Sequence, residues 1–185
     1  MKKHSNAASE LSPKYVVIGF LYIQPMHGYD LHKHLETNLC EVWHISQSQT
    51  YNILKSLIRD NWIAVTLQPQ EKRPDKELLS LTDLGRAEFE TWLYTPTPGS
   101  ARTIRVEFIS RMFFAASLNE NLCSRFIQEQ ADTSRLDLEK LSKRSSALPA
   151  DQIFNRMGID LRIRQLKSVL DWVEDCYHYI EEGGR

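Results

Sequence analysis

The sequence predicts a mainly α fold with one small β-hairpin, divided into two halves. Three observations carry this expectation. Short apolar helical patterns separated by caps and breakers run from Ser12 to Arg59. Two runs of β-formers, Trp62–Leu67 and Leu78–Leu81, flank a charged stretch with two prolines. Beyond the run Thr95-Pro96-Thr97-Pro98-Gly99-Ser100, only helical periodicities remain. The expected organisation is an N-terminal arm over 1–12, a first domain over 13–95, a linker over 96–101 and a helical domain over 102–185.

The first helix is expected after Ser12-Pro13, since a serine cap followed by proline suits a first turn. The nearly all-apolar Tyr15–Ile23 then reads as a buried helix ending before Pro25. After Pro25-Met26-His27-Gly28, Leu31, Leu35 and Leu39 recur every fourth residue and set one apolar stripe, with His32, Lys33 and Glu36 off it. Ser46-Gln47-Ser48-Gln49 is a capping-box pattern that starts a third helix. Thr50, Tyr51, Leu54, Leu57 and Ile58 share one face of that helix, and Ser48, Gln49, Asn52, Lys55, Ser56 and Arg59 share the other. The β-hairpin follows, and Thr82-Asp83-Leu84-Gly85 opens a fourth helix through about Tyr94.

In the second half, Val106, Ile109, Phe113 and Ala116 form one stripe, and Ile127, Ala131, Ser134, Leu138 and Leu141 a second. The last helix alternates steps of four and three through Ile159, Ile163, Leu166, Leu170, Val173, Tyr177 and Ile180. That is the a/d seam of a coiled coil, so this half is expected to be an antiparallel or coiled-coil dimerisation domain. The same seam could instead close within one chain.

Composition bounds the function. An apolar share of 42% over 185 residues suits a globular protein with its own core. The longest apolar run is too short to cross a bilayer and the first ten residues lack a leader's apolar centre, so a cytoplasmic protein without membrane contact is expected. Three widely spaced cysteines suggest neither a disulfide framework nor a zinc site. His27, His32 and His34 do not share one helical face, so no metal or other cofactor is expected. No nucleophile–base order, carboxylate pair or phosphate loop stands out, so an enzyme is not expected.

Net charge is −1, and residues 1–95 hold ten Lys and Arg against eleven Asp and Glu, so no domain is basic as a whole. A groove-binding element needs positive charge only where it meets phosphate. From Ser46 to Lys76 there are five basic residues (Lys55, Arg59, Lys72, Arg73, Lys76) against three acidic ones. Three short helices followed by a basic two-stranded wing describe a winged helix-turn-helix, whose third helix enters the major groove of double-stranded DNA. Glutamine and asparagine can pair with the adenine edge, serine with either base type, and Lys55 and Arg59 can reach phosphate or guanine.

These segments resemble a known family. Gly19-Phe20-Leu21, Pro25-Met26-His27-Gly28-Tyr29-Asp30-Leu31, Ser46-Gln47-Ser48-Gln49-Thr50-Tyr51-Asn52-Ile53-Leu54, Arg73-Pro74-Asp75-Lys76 and Ser80-Leu81-Thr82-Asp83-Leu84-Gly85-Arg86 are similar to the PadR family of transcriptional regulators. Arg111-Met112-Phe113-Phe114 and the final helix resemble its longer subfamily, which includes AphA-like virulence activators. The resemblance implies DNA contact by Gln47 to Asn52, a phosphate contact by Tyr51, and a wing contact from Arg73 to Lys76; Ser46 and Lys72 are further DNA-contact candidates. It further implies a homodimer on a near-palindromic operator, repression rather than activation, and a small aromatic or lipophilic effector. Two positions depart from the pattern: Glu77 stands where a basic residue is common, and Leu79 where an aromatic is usual.

Plainer roles stand beside these. Tyr51 could be a core residue with its hydroxyl at the surface, Lys72, Arg73 and Lys76 a solvated loop, and Trp43, Trp62, Trp92 and Trp172 core rather than pocket lining. The alternative for the whole chain is a winged-helix module that docks proteins instead of DNA.

Overall fold

The computed structural model describes residues 11–69, 76–98 and 100–183. The chain forms two compact units that divide between Tyr94 and Thr95.

The first unit comprises α1 (Lys14–Ile23), β1 (Met26–His27), α2 (Gly28–Leu39), α3 (Gln47–Arg59), β2 (Ile63–Gln68), β3 (Lys76–Leu81) and α4 (Asp83–Tyr94). Val16 to Leu21 are buried without interruption, because α1 is apolar on every side and is packed by α2, α3, α4 and β3. Leu31, Leu35 and Leu39 of α2 and Leu54 and Leu57 of α3 close over it. α3 ends in a Schellman arrangement. The Trp62 N–H donates to the Leu57 carbonyl at 2.9 Å and the Asn61 N–H to the Ile58 carbonyl at 3.1 Å, with Asn61 left-handed at φ 59°. This turn aims the chain directly into β2.

β2 and β3 pair antiparallel from Ile63↔Leu81 to Gln68↔Lys76, so Lys76 already belongs to the strand. The tip between them, with Lys72 and Arg73, lies outside the described residues. β1 adds a third strand on the other edge of β3, pairing Met26 with Leu79 and His27 with Leu78. Two residues carry no readable periodicity, which is why β1 is not legible from residue spacing. Leu79 is 3% exposed, so the smaller side chain at the aromatic position is a core residue. Thr82 joins the wing to α4: its N–H donates to the Trp62 carbonyl at 3.0 Å, and its hydroxyl oxygen accepts the Gly85 N–H at 3.1 Å.

The second unit comprises α5 (Ala101–Thr103), a π-helical turn over Ile104–Phe108, α6 (Ile109–Leu118), α7 (Glu120–Ser146) and α8 (Ile153–Gly183). Thr97, within the expected linker 96–101, is held by this unit. Thr97 is buried, its hydroxyl accepting from Arg111 at 3.0 Å and its carbonyl from Gln130 at 3.3 Å. Burial pulls the Arg111 guanidinium down to about 10, against the pull of Glu129 and Glu107, and the ion lies 4.7 Å over the Phe126 ring.

One of the expected stripes needs correction. Val106 is buried as expected, but along α6 the buried positions are Ser110, Arg111, Met112, Phe114 and Ala115, while Ala116 is exposed and Ile109 and Phe113 are half-buried. The wide π turn just upstream adds a residue to one turn, so a stripe laid down at 3.6 residues falls out of phase. The heptad positions of α8 face α7 in part. Ile159, Leu166 and Val173 are buried and Ile163, Leu170, Tyr177 and Ile180 half-buried, chiefly against α7. The Arg135–Glu174 ion pair and the bond from the Tyr177 hydroxyl to the Ser124 carbonyl tie the same two helices. α7 supplies the matching surface through Ile127, Ala131, Ser134 and Leu141, all buried as their spacing predicts, with Leu138 half-buried.

Candidate nucleic-acid interface

The candidate interface is the outer surface of α3 and the groove between it and the wing. α3 starts where the sequence places it. The Gln49 N–H donates to the Ser46 hydroxyl at 3.3 Å and the Ser46 N–H to the Gln49 side-chain oxygen at 2.8 Å, which closes the capping box. Two N-terminal donors are thereby satisfied, and the helix can end in solvent.

Thr50, Leu54 and Leu57 are buried, which points the opposite side of the helix outward. Ser48, Asn52, Lys55 and Arg59 follow at steps of four, three and four, so they fall within about 60° of one another on the helical wheel. All four are exposed, as are Gln47 and Gln49 on either flank, and no acidic side chain stands on the stripe. The stripe therefore presents amide, hydroxyl and cationic groups over about three turns, a length that suits a major groove.

Not every side chain on this surface is equally available. Gln49 has one acceptor position of its amide committed to the cap, which weakens it as a two-point partner for adenine, whereas nothing in the helix engages Gln47 or Asn52. Arg59 leans on Asp60 at 3.3 Å and donates to the Ser56 hydroxyl at 3.0 Å. Both groups are well exposed, so solvent screens the pair and a phosphate can displace it.

Tyr51 and Ile58, assigned from the wheel to the buried face, lie at its rim and are 39% and 37% exposed. The Tyr51 ring covers Gly28, where an added β-carbon would come within 3.1 Å of it. Glycine there lets α2 start directly beneath the ring. Tyr51, Lys55 and Ile58 of α3, Gly28 to Asp30 of α2, and Lys76, Glu77 and Leu79 of the wing line a groove of about 550 Å³. Lys55 of α3 and Lys76 of the wing thus line one groove, as do Asp30 and Glu77. His27 fixes the wing edge, its ring Nδ1 lying 2.8 Å from the Glu77 carbonyl.

His32 is a further correction. Placed off the apolar stripe of α2 by periodicity, it is nonetheless 6% exposed, and its Nδ1 lies 3.0 Å from the Thr50 hydroxyl. Periodicity missed it because it borders the leucine stripe, and only the approach of α3 turns that border into interior.

The first unit as a whole is matched, over residues 17–91, by the model of the transcriptional regulator PadR-like family. Residues 17–91 are thus similar to PadR-like transcriptional regulators. Residues 104–181 match a second model, the virulence activator alpha C-terminal family. The chain is 28% identical over 180 residues to the negative transcriptional regulator PadR of Bacillus subtilis, covering 91% of this chain and 97% of that one. It is 25% identical over 174 residues to a probable transcriptional regulator of Mycobacterium tuberculosis, covering 86% and 92%. Among solved structures, Bacillus subtilis PadR in complex with operator DNA aligns at a TM-score of 0.45 and 24% identity, over 90% of this chain and 98% of that one. The same protein with p-coumaric acid aligns at 0.41 and 22%, over 91% and 95%. Among the described residues, no helix is long and apolar enough to cross a membrane, and no group of three ligating side chains could hold a metal ion.

Proposed function

We propose that this chain is a homodimeric repressor that reads a specific DNA sequence by inserting α3 into the major groove. The observation that carries this reading is the Ser48–Asn52–Lys55–Arg59 stripe, fully outward, free of acidic groups and rooted by Thr50, Leu54 and Leu57. In this reading Gln47, Ser48 and Asn52 contact base edges, and Gln49 does so through its amide nitrogen. Lys55, Arg59, Tyr51 and Lys76 contact phosphate, with Lys72 and Arg73 as further wing contacts by residue type. Repression is extended to this chain from the negative regulator it resembles.

Two copies present two α3 helices to half-sites one helical turn apart, about 34 Å, so the operator is a near-palindrome. The second copy seats on a surface that the intrachain seam leaves uncovered. Ile153, Phe154, Met157 and Leu161 at the start of α8 are large, apolar and exposed, Phe154 to 87%.

Binding of the full-length protein to a random double-stranded library, followed across a salt series, tests the reading. A selected sequence bound about a thousandfold more tightly than scrambled DNA, with affinity falling steeply as salt rises, is expected. A flat salt response without sequence preference would replace it with the protein-docking module. For the effector, we propose a small aromatic acid, since the Bacillus subtilis relative has been crystallised with p-coumaric acid. Weakened operator binding on addition of that compound is expected, and unchanged binding excludes it.

A further inference from the structure

Thr50 is wholly buried on the inner side of α3, and its hydroxyl meets two groups: the His32 Nδ1 at 3.0 Å and the Ser46 carbonyl at 3.3 Å. His32 in turn places its Nε2 3.3 Å from the Glu36 carboxylate, one turn further along α2. A hydrogen-bonded path therefore runs His32–Thr50–Ser46, from the scaffold helix to the residue that caps α3, with the Glu36 carboxylate close to its outer end. Among the described residues, His32–Thr50 is the one side-chain hydrogen bond joining α2 to α3.

The rest of that junction is apolar packing, with Tyr51 and Leu54 of α3 against Gly28 of α2. Such contacts hold two helices together but are non-directional, and they resist rotation of one helix about its own axis only weakly. A buried hydrogen bond is directional and is costly to leave unmade. The proton inventory suits a bond that is always kept. With the ring proton on Nε2 facing Glu36, Nδ1 accepts from the Thr50 hydroxyl; with both nitrogens protonated, Nδ1 donates and the hydroxyl turns to the Ser46 carbonyl.

We propose that His32 is a positioning residue for base readout, fixing the rotation of α3 through Thr50. The proposal rests on the DNA-binding reading above. Base-edge groups sit about 5–6 Å from the helix axis, so a rotation of about 10° moves them by about 1 Å. That displacement spoils the two-point geometry a base edge requires, while phosphate contacts through long lysine and arginine side chains adapt.

The test uses the full-length protein, the sequence the wild type selects from a random library, and a composition-matched scrambled duplex. Thr50→Val keeps the shape and deletes the hydroxyl; Thr50→Ser keeps the hydroxyl. For Thr50→Val the ratio of selected to scrambled affinity is expected to fall about tenfold. Scrambled-DNA affinity and salt slope should stay as in the wild type, and Thr50→Ser should retain most of the ratio. His32→Leu should produce the same loss, and the double variant no more than either alone. Equal losses in Thr50→Val and Thr50→Ser, additive losses, or a parallel fall on both duplexes would overturn the positioning role. A wild type that prefers its selected sequence alongside an unaffected Thr50→Val would overturn this inference alone. A wild type with no preference would overturn the DNA reading with it.

Discussion

A β-carbon on Gly85 would overlap the carbonyl oxygen of Trp62. The first turn of α4 lies directly on the residue that leads from α3 into β2, and the Thr82 N–H donates to that same carbonyl. α3, wing and α4 therefore meet at one backbone group, and only a residue without a side chain allows the approach.

Gly85→Ala is consequently expected to be severely destabilising although alanine is the better helix former. The clash is with backbone, which cannot swing away, so a loss of about 2–3 kcal/mol is expected. Urea denaturation of the full-length protein measures it, and a midpoint unchanged or raised would contradict the close packing.

Gln49 and Asn52 should separate under substitution. Gln49→Ala removes one half of the capping box and should lower stability by about 1 kcal/mol with a modest effect on sequence preference. Asn52→Ala should leave stability within about 0.5 kcal/mol and relax preference at one base pair, at a cost of about 1–3 kcal/mol. Thermal melts and selection against single-base variants of the bound sequence distinguish them.

Lys55→Ala should weaken binding to every duplex alike and reduce the salt slope by about one unit. Fluorescence anisotropy between low and moderate salt gives that slope; loss of preference with an unchanged slope would move Lys55 from phosphate to base.

Two residues on α8 five positions apart should behave oppositely. Phe154→Asp alters an exposed side chain and should dissociate the dimer in sedimentation while leaving the monomer fold intact. Ile159→Ala hollows the α7–α8 seam and should cost about 2–5 kcal/mol of stability. A dimer unaffected by Phe154→Asp would remove that surface from the proposed assembly.

Burial pushes the Cys176 thiol up to about 11, and Asp175 adds to the shift. The folded state thus holds the proton more tightly than the unfolded chain, whose thiol titrates near 9. The associated stability is complete below pH 9 and is lost as pH rises toward 11. In alkylation followed by mass spectrometry, exposed Cys40 should react first and Cys176 only at alkaline pH. Modification of Cys176 at neutral pH as fast as Cys40 would contradict its burial.

Much was legible in the residues alone because it is local. The capping box at Ser46, the apolar closure of α1, the leucine stripe of α2 and the strand pair of the wing each follow from side chains a few positions apart. So does the outward stripe of α3, since three buried positions determine the direction of the other side. Other features depended on partners distant in sequence. β1 exists only because β3 arrives beside it, and His32 is interior only because α3 covers it. The phase of α6 shifts because one turn widens upstream. The α8 seam reads equally well as an interface between chains or within one, since a heptad states only that a helix must be covered; the approach of α7 covers it in part. Spacing along a chain determines which faces must be buried, whereas the choice of what buries them is made by packing.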